Sequence, residues 1–315
     1  MSQPTLEAFT GTGSGRRISF EEVDQQYRLK IRSFITLCMP HIFKGLEAEL
    51  ALNDMRDSGI VPIMFYLVFE TTPHHLAFKG EIETRHNVRL CRDVQPNPRD
   101  PAGGNVERML LDMNIDIMAQ TAPYDPHALG SATPHEGLTR AGHMRGVHVL
   151  TKPTAPAGER GVTDVPPQLA PLKVHPWDEP FPAVEGMRGV PEGFRQHDSG
   201  PWGIQHTVWG INNTDINQHV NVHEYIINIE NHFARMLHGA RMDVPRHRVE
   251  RMEILFRKPS FMGDTCAIQG DLFTKGDETL LLGGFHALGP DGAVDPKPTV
   301  FARLQGRLAD DLPVH

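Results

Sequence analysis

The chain carries, at residues 212–225, the stretch Asn212-Asn213-Thr214-Asp215-Ile216-Asn217-Gln218-His219-Val220-Asn221-Val222-His223-Glu224-Tyr225. It places a carboxylate, several carboxamides and two imidazoles just before an apolar segment, residues 225–229. That segment continues with helical spacing through Arg235 and Leu237. The stretch therefore predicts polar chemistry at the position where a helix begins.

This position matters because the first turn of a helix has unpaired backbone N–H groups and the positive end of the macrodipole. It can hold a developing oxyanion, and a carboxylate just upstream can activate water against the same carbonyl. The alternative is that Asn and Asp only turn and cap the chain. Capping needs one such residue, whereas four polar residues stand here at alternate positions, which favours a functional site. They are Asp215, Asn217, His219 and Asn221.

Length and charge limit the class of protein. With 315 residues the chain is long enough for two domains, each with its own core. Its formal net charge of −8, without a long basic block, argues against a nucleic-acid partner held by phosphate contacts. No apolar run reaches membrane-spanning length and the first residues lack a signal pattern, so we expect a soluble, cytoplasmic protein.

The cysteines and histidines give no indication of a metal site. Cys38, Cys91 and Cys266 lie far apart and outside any CxxC spacing, which predicts reduced, buried thiols without disulfides. His219 and His223 are four residues apart, a spacing that puts two imidazoles on one helix face. A zinc-protease helix would need Glu directly after the first of them, where this chain has Val220.

The chain divides into four segments. Residues 1–16 are rich in Gly, Ser and Thr and are predicted to form a disordered tail. Residues 17–150 and 201–315 each show a strand, a long helix and then successive strands, which indicates two domains built on one plan. Residues 151–200 are rich in Pro and Gly and are predicted to be a linker.

Hydrophobic periodicity predicts the elements of both domains. The first domain is expected to have a strand at 27–31, a buried helix over 37–52 with Pro40 near its start, strands at 60–70, 78–91 and 109–120, and an edge strand at 144–150. The second is expected to have strands at 202–208, 249–256, 263–273, 280–288 and 299–308 around the helix described above.

The run from Asp215 to Asn221, followed by Tyr225, closely resembles the Asp-x-Asn-Gln-His-Val-Asn signature of acyl–acyl-carrier-protein (ACP) thioesterases and related hot-dog enzymes. The segment from Phe256 to Asp264 also resembles the strand-turn-strand that follows the helix in hot-dog proteins. The resemblance covers mainly residues 202–308. It implies an α+β fold in which antiparallel sheets each wrap a long central helix, with two such units in one chain.

The resemblance also implies roles for individual residues. Asp215, Asn217 and His219 match the acidic, amide and imidazole residues assigned to the active site of those enzymes. The chain departs from the family at Asn213, where an acidic residue is frequent, and at Val222, where the family has Asn. The Glu-Cys pair of the plant enzymes is replaced around residues 259–260, so the departures bear on the hydrolytic mechanism more than on the fold.

The first domain is similar to the N-terminal hot-dog of polyketide-pathway double hot-dog proteins, including an acyltransferase/decarboxylase. The similarity rests on residues 37–41, Gly45-Leu46 and the apolar strand with Tyr66. In that enzyme a tyrosine carries the acyl group, which makes Tyr66 a candidate catalytic residue. A core tyrosine with a satisfied hydroxyl is the other interpretation. His41 would line the cleft, cap the first helix or serve a structural purpose.

These observations predict hydrolysis of an acyl group carried as a thioester on coenzyme A or an acyl carrier protein, in polyketide or fatty-acid metabolism. Asp215 would act as general base or nucleophile, and Asn217 and His219 would position water or polarise the thioester. No metal or redox cofactor is expected, and the phosphopantetheine arm would enter between the units or at a homodimer interface. Candidate substrate-binding residues are Asn213, Asn221, His223, Tyr225 and His41.

Alternative functions remain open from the sequence. One is an acyltransferase, decarboxylase or dehydratase, although the chain has no His-Phe-Pro-Gly signature. Another is a non-catalytic acyl-binding protein, which the residues at 213, 222 and 259 favour. His223 is a candidate for substrate binding and equally for a solvent-facing or hydrogen-bonded structural role.

Overall fold

A computed structural model describes residues 5–96, 105–125, 132–156, 158–215 and 218–308. The chain forms two compact units. The N-terminal unit comprises Met1–Leu67 and Thr72–Phe181, and the C-terminal unit comprises Val68–Thr71 and Pro182–His315. Within the described residues, no helix combines the length and apolar character needed to cross a membrane.

The N-terminal unit is built on an antiparallel sheet and one long helix. In chain order its elements are β1 (Phe9–Arg17), α1 (Ile31–Leu50), α2 (Leu52–Asp57), β2 (Val61–Thr71), β3 (Glu81–Pro96), β4 (Asn105–Ala119), β5 (Thr139–Thr151) and β6 (Val174–Pro176). The last residues of β2 are counted with the C-terminal unit. The strands of this unit lie in the order β1-β3-β4-β5-β2, and β6 pairs in parallel with β3.

Helix α1 supplies much of the core of this unit. Its apolar side chains recur at three- and four-residue spacing, and it contacts β1, β3 and β4. The buried residues are Ile31, Ser33, Phe34, Leu37, Cys38, Ile42, Leu46 and Leu50. The helix begins earlier than predicted, so Pro40 lies inside it and His41 lies near its middle. His41 therefore does not cap the helix.

The predicted strand at 27–31 is wrong. Tyr27 has a φ of 59°, which interrupts an extended chain, and the Asp24 carboxylate accepts the N–H groups of Gln26 and Arg28 at 2.8 and 2.9 Å. This side-chain turn outcompetes the alternation of apolar residues. Only an isolated bridge between Val23 and Leu29 remains.

From Phe9 onward the predicted disordered tail is a strand. β1 pairs with β3 from Phe9 to Arg17, and Phe9 is buried. A Cβ atom at Gly11 would lie 2.7 Å from the ring of His86. Gly11, one of the glycines that suggested disorder, is therefore at a position where the backbone packs closely against β3.

The predicted linker at 151–200 contains ordered elements. Beside β6 it includes α3 (Val184–Met187) and β7 (Arg195–His197) of the C-terminal unit. Trp177 and Phe181 pack on a cluster of the N-terminal unit formed by Cys91, Leu110 and Val147. Non-local packing, which composition does not report, orders this proline-rich segment. β5 also differs from the predicted edge strand, because it lies between β4 and β2.

The C-terminal unit combines antiparallel strands with a long helix. Its further elements are β8 (Ile204–Val208), α4 (Val222–Gly239), β9 (His247–Phe256), β10 (Thr265–Lys275), β11 (Glu278–Ala287) and β12 (Val300–Leu308). The main strands lie in the order β9-β12-β11-β10, and β7 and β8 both pair with β10. These bounds agree closely with the predicted strands of the second domain.

Helix α4 places a buried face in this unit. The face consists of Tyr225, Ile226, Ile229, His232, Phe233, Met236 and Leu237. At its start, Tyr225 meets three aromatic rings in edge contacts, with centroids 5.2 Å from Trp209, 5.7 Å from Phe256 and 5.0 Å from Phe285. These contacts fix the N-terminal end of α4 in the core of the unit.

Candidate functional site

A tight loop precedes α4 and carries the predicted acid and imidazole at its two ends. The Asp215 N–H donates to the carbonyl of His219 at 3.0 Å, and the Gln218 N–H donates to the carbonyl of Asp215 at 2.9 Å. Outside this pair, Thr214 bridges to Val220. Gln218 adopts a φ of 65°, the left-handed conformation that lets the chain reverse here. The backbone therefore holds Asp215 and His219 side by side.

Asn217, the predicted catalytic amide, lies outside the described residues together with Ile216. Its role stays a prediction. Its neighbours on either side are described, with Asp215 half-buried and His219 exposed. The exposed imidazole is accessible to a molecule arriving from solvent.

The first turn of α4 is capped by the residue that ends the loop. The Asn221 side chain accepts the N–H of His223 at 2.9 Å, and its carbonyl accepts the N–H of Glu224 at 3.0 Å. The capping interpretation of Asn221 is thus observed, and the site and the cap share one segment. Two of the first N–H groups are used by the cap, which leaves the N–H of Val222 as a candidate donor to an oxyanion.

The turn between β9 and β10 supports the loop from one side. The Val220 N–H donates to the carbonyl of Ser260 at 2.8 Å, and His219 pairs with Phe261, their rings meeting edge-on at 5.2 Å. Ser260 in this turn is buried. The structure gives Ser260 the role of a backbone acceptor for the loop.

Two further carboxylates, Glu250 and Glu253, lie on β9. Arg248 donates to Glu250 at 2.6 Å, and Arg251 donates to Glu253 at 3.0 Å. Both carboxylates are thus ion-paired along the strand, which accounts for them without a catalytic role.

Tyr225 lies beneath the site. Its side chain is 3% exposed, and burial raises the pKa of its hydroxyl, an effect that interaction with Ser260 partly opposes. His223, in contrast, is half-buried in the first turn of α4. The structure therefore gives Tyr225 a supporting position in the core, while His223 retains partial contact with solvent.

Tyr66 and His41 belong to the N-terminal unit. Tyr66 lies on β2 and packs, half-buried, against the cluster of Cys91, Leu110 and Val147. His41 lies over Gly13 of β1, where a Cβ atom would be 2.7 Å from its ring. The structure thus collects six of the predicted residues that it describes in the C-terminal unit and places these two in the other. The six are Asn213, Asp215, His219, Asn221, His223 and Tyr225.

Exposed apolar side chains surround the loop. Val208, Ile211, Phe261 and Met262 are 63, 74, 45 and 59% exposed. They lie on two segments that are adjacent, because the Trp209 N–H donates to the carbonyl of Asp264 at 3.0 Å and the Gly263 N–H donates to the carbonyl of Trp209 at 2.8 Å. Clusters of exposed apolar side chains on a protein mark binding surfaces. An apolar ligand would contact these four side chains, the apolar rim, beside His219.

Sequence reasoning missed the role of Glu224. Its carboxylate accepts a hydrogen bond from the side chain of Asn213 at 2.7 Å. The spacing Asn221-x-x-Glu224 is that of a capping box, a signal that could have identified the residue. Within the described residues, no group of three or more His, Cys, Asp or Glu side chains is arranged to hold a metal ion.

No protein-family model matches the sequence, and no curated protein matches it. Solved structures do match its fold. A protein assigned as an oleoyl thioesterase from Lactobacillus plantarum superposes with a TM-score of 0.65 at 13% identity, covering 96% of this chain and 98% of the other. The 12:0-ACP thioesterase of Umbellularia californica gives 0.58 at 11% identity, covering 98% and 100%.

An acyl-ACP thioesterase from Bacteroides thetaiotaomicron gives a TM-score of 0.56 at 15% identity, covering 95% of this chain and 98% of the other. All three comparisons extend over nearly the whole chain. They establish that this protein shares the fold of hot-dog thioesterases, as the signature at Asp215–Asn221 predicted.

Proposed function

We propose that this chain is a double hot-dog enzyme that hydrolyses acyl thioesters, with its chemistry in the C-terminal unit. The observation that carries the proposal is the backbone pairing of Asp215 with His219 immediately before α4. It joins a carboxylate, an imidazole and a helix N-terminus within one loop. The shared fold with thioesterases supports the same reaction class.

The reaction needs a base, an oxyanion site and a proton for the departing thiolate. Asp215 would take a proton from water as that water attacks the thioester carbonyl, or would attack directly and form a mixed anhydride that water then hydrolyses. The negative charge on the carbonyl oxygen would be stabilised by the Val222 N–H and the α4 macrodipole. His219, with Asn217, would polarise the thioester or orient the water. A thiolate is a good leaving group and would take its proton from the protonated Asp215 or from solvent, so no strong general acid is required.

The substrate would be an acyl chain on coenzyme A or on an acyl carrier protein, in fatty-acid or polyketide metabolism. The exposed apolar rim at residues 208, 211, 261 and 262 supports an apolar substrate. The proposal requires no metal or redox cofactor. The N-terminal and C-terminal units would be its two hot-dog domains, in a cytoplasmic protein that acts alone or as a homodimer.

The test is release of free thiol from a panel of acyl-CoA and acyl-ACP thioesters, with product masses measured in parallel. Wild type is compared with Asp215→Asn, which removes the base at constant size, and with Tyr66→Phe, which removes only a hydroxyl in the other unit. We expect Asp215→Asn to abolish turnover and Tyr66→Phe to preserve it. Covalent acylation or loss of carbon dioxide that needs Tyr66 and not Asp215 would move the chemistry to the N-terminal unit. Absence of turnover in wild type would favour an acyl-binding role.

A further inference from the structure

The loop that carries Asp215 is tied to α4 through one residue, Asn213. Its side-chain carbonyl accepts the Gly210 N–H at 2.7 Å, and its side-chain amide donates to Glu224 at 2.7 Å. Its backbone carbonyl accepts the Asn221 N–H at 2.8 Å. The residue before the loop is therefore bonded directly to the residue after it.

Glu224 makes an unusual contact for its place in the helix. It is the third residue of α4, from which a glutamate ordinarily bonds back to the N–H of its own cap residue. Here that N–H belongs to Asn221 and is already taken by the carbonyl of Asn213. The carboxylate instead holds the Asn213 side chain. The capping interaction thus joins the helix to the preceding loop.

Both ends of the loop that carries Asp215 depend on the hydrogen bond between Asn213 and Glu224. Asn213 precedes the Thr214–Val220 bridge and Asn221 follows it, so Glu224 fixes the base of the loop that aligns Asp215 with His219. From these bonds we infer that Glu224 is a positioning residue, acting through Asn213 to hold Asp215 beside His219 at the start of α4. The inference rests on the proposed function.

A catalytic carboxylate at Glu224 is the competing explanation, and one substitution separates the two. Positioning requires a hydrogen-bond acceptor for the Asn213 amide, which Glu224→Gln retains through its amide oxygen. Acid or base catalysis requires an ionisable group, which Glu224→Gln removes. The two roles therefore predict opposite results for the same variant.

The first experiment measures kcat and KM of thioester hydrolysis for Glu224→Ala, Glu224→Gln and a control variant. We expect Glu224→Ala to lower kcat by about 10²-fold with little change in KM, because small displacements of reacting groups have effects of this size. Glu224→Gln should stay within a few-fold of wild type. Glu192→Ala, which removes an exposed carboxylate elsewhere in the unit, should match wild type. Loss of activity in Glu224→Gln, or none in Glu224→Ala, would overturn the inference.

A second, independent experiment changes the charges at residues 213 and 224. Asn213→Asp sets a carboxylate against that of Glu224, so kcat should fall and should recover as the pH is lowered and the pair takes up a proton. Adding Glu224→Lys converts the repulsion into an ion pair and should restore most of the activity at neutral pH. Failure of the double variant to exceed Asn213→Asp, with both folded by thermal melting, would contradict positioning through this contact.

Amide hydrogen exchange separates this inference from the proposed function. Glu224→Ala should accelerate exchange in the described residues between 211 and 224, and Glu224→Gln should not, whether or not a substrate is known. If wild type hydrolyses no thioester but the exchange results hold, the proposed function fails, while the conclusion that Glu224 holds the loop through Asn213 stands. If wild type is active and exchange is unchanged in Glu224→Ala, the inference about Glu224 fails while the proposed function stands.

Discussion

The two long helices of this protein begin in different ways. α1 starts at Ile31 after Lys30, which makes no side-chain cap, and its first turn has no acidic residue. α4 starts at Val222 after Asn221, which caps it, and has Glu224 in its first turn. Each helix packs in a unit with antiparallel strands. Comparing the two helices therefore shows the effect of the residues that precede each of them.

The start of α1 is hydrogen-bonded to the segment that precedes it in the chain. The carbonyl of Glu22 accepts the Lys30 N–H at 2.9 Å and the Ser33 hydroxyl at 3.2 Å, while Ile31 and Ser33 are buried. The start of α4 lies beside a loop whose His219 is exposed. The comparison teaches that one helix–sheet plan serves as a core in one unit and can carry a site in the other, according to the preceding loop.

The largest effect is expected from removing the N–H at the start of α4. Val222→Pro deletes that donor at the one helical position where proline is favoured, and Asn221 already has the extended conformation (φ −65°, ψ 141°) that a following proline requires. Loss of one oxyanion donor lowers kcat by about 10²–10³-fold. Val222→Ala, which keeps the N–H, controls for the side chain. Equal activity of the proline and alanine variants would remove this N–H from the mechanism.

Acid lability should affect both units, since each buries a histidine whose pKa is lowered by burial. Burial lowers the pKa of His148 to about 4, and burial with nearby Arg235 lowers that of His232 to about 4. Because the unfolded chain binds protons near pH 6.5 and the folded chain near 4, stability is full above pH 6.5 and falls as pH drops toward 4.

The histidine prediction is tested by urea unfolding of His232→Leu at pH 7.5 and pH 4.5. Between these values, wild type should lose about 2–3 kcal/mol more stability than the variant, since one pKa unit corresponds to about 1.4 kcal/mol. His238→Gln, on the exposed side of the same helix, should behave as wild type. An equal loss in His232→Leu and wild type would show that this imidazole does not contribute to acid unfolding.

A smaller effect should distinguish the two helix caps. Asn221→Ala removes a side-chain acceptor and should lower the free energy of unfolding by about 1 kcal/mol. Lys30→Ala removes no side-chain cap and should change it by less than about 0.5 kcal/mol. Chemical denaturation of both variants gives the comparison. A larger loss for Lys30→Ala than for Asn221→Ala would reverse the assignment of the caps.

The smallest effect is expected from thiol reagents. Cys38, Cys91 and Cys266 are buried, and burial raises the pKa of Cys91 to about 11 and that of Cys266 to about 12. The native protein should therefore show almost no reaction with a thiol-specific chromogen at pH 8, and three thiols should react after denaturation. Rapid labelling of the native protein would show that one unit opens to solvent.

Local sequence predicted the elements whose causes are local. The strands of the C-terminal unit and the helix after Asn221 follow from hydrophobic periodicity and a cap. The hot-dog fold was expected from the signature around Asp215, and the comparisons confirm it. The double arrangement and the catalytic roles stay proposals.

Predictions failed where a distant partner decides the conformation. Gly11 of β1 contributed to the predicted disorder, yet a Cβ atom there would lie 2.7 Å from the ring of His86 on β3. The local sequence also did not indicate that three aromatic rings from other parts of the chain bury Tyr225, whose substrate-binding role stays a prediction. Composition and periodicity carry no information on such contacts, because they depend on which segments the fold brings together.

By itself the sequence determined which residues could form a site before a helix, because cap residues, turns and apolar periods act over a few residues. Only the tertiary structure decided that Asp215 pairs with His219, that Ser260 supports the loop, and that Glu224 reaches Asn213. Those bonds join groups eleven to forty residues apart or reverse the chain between them, and their geometry is set by how the sheet and helix pack.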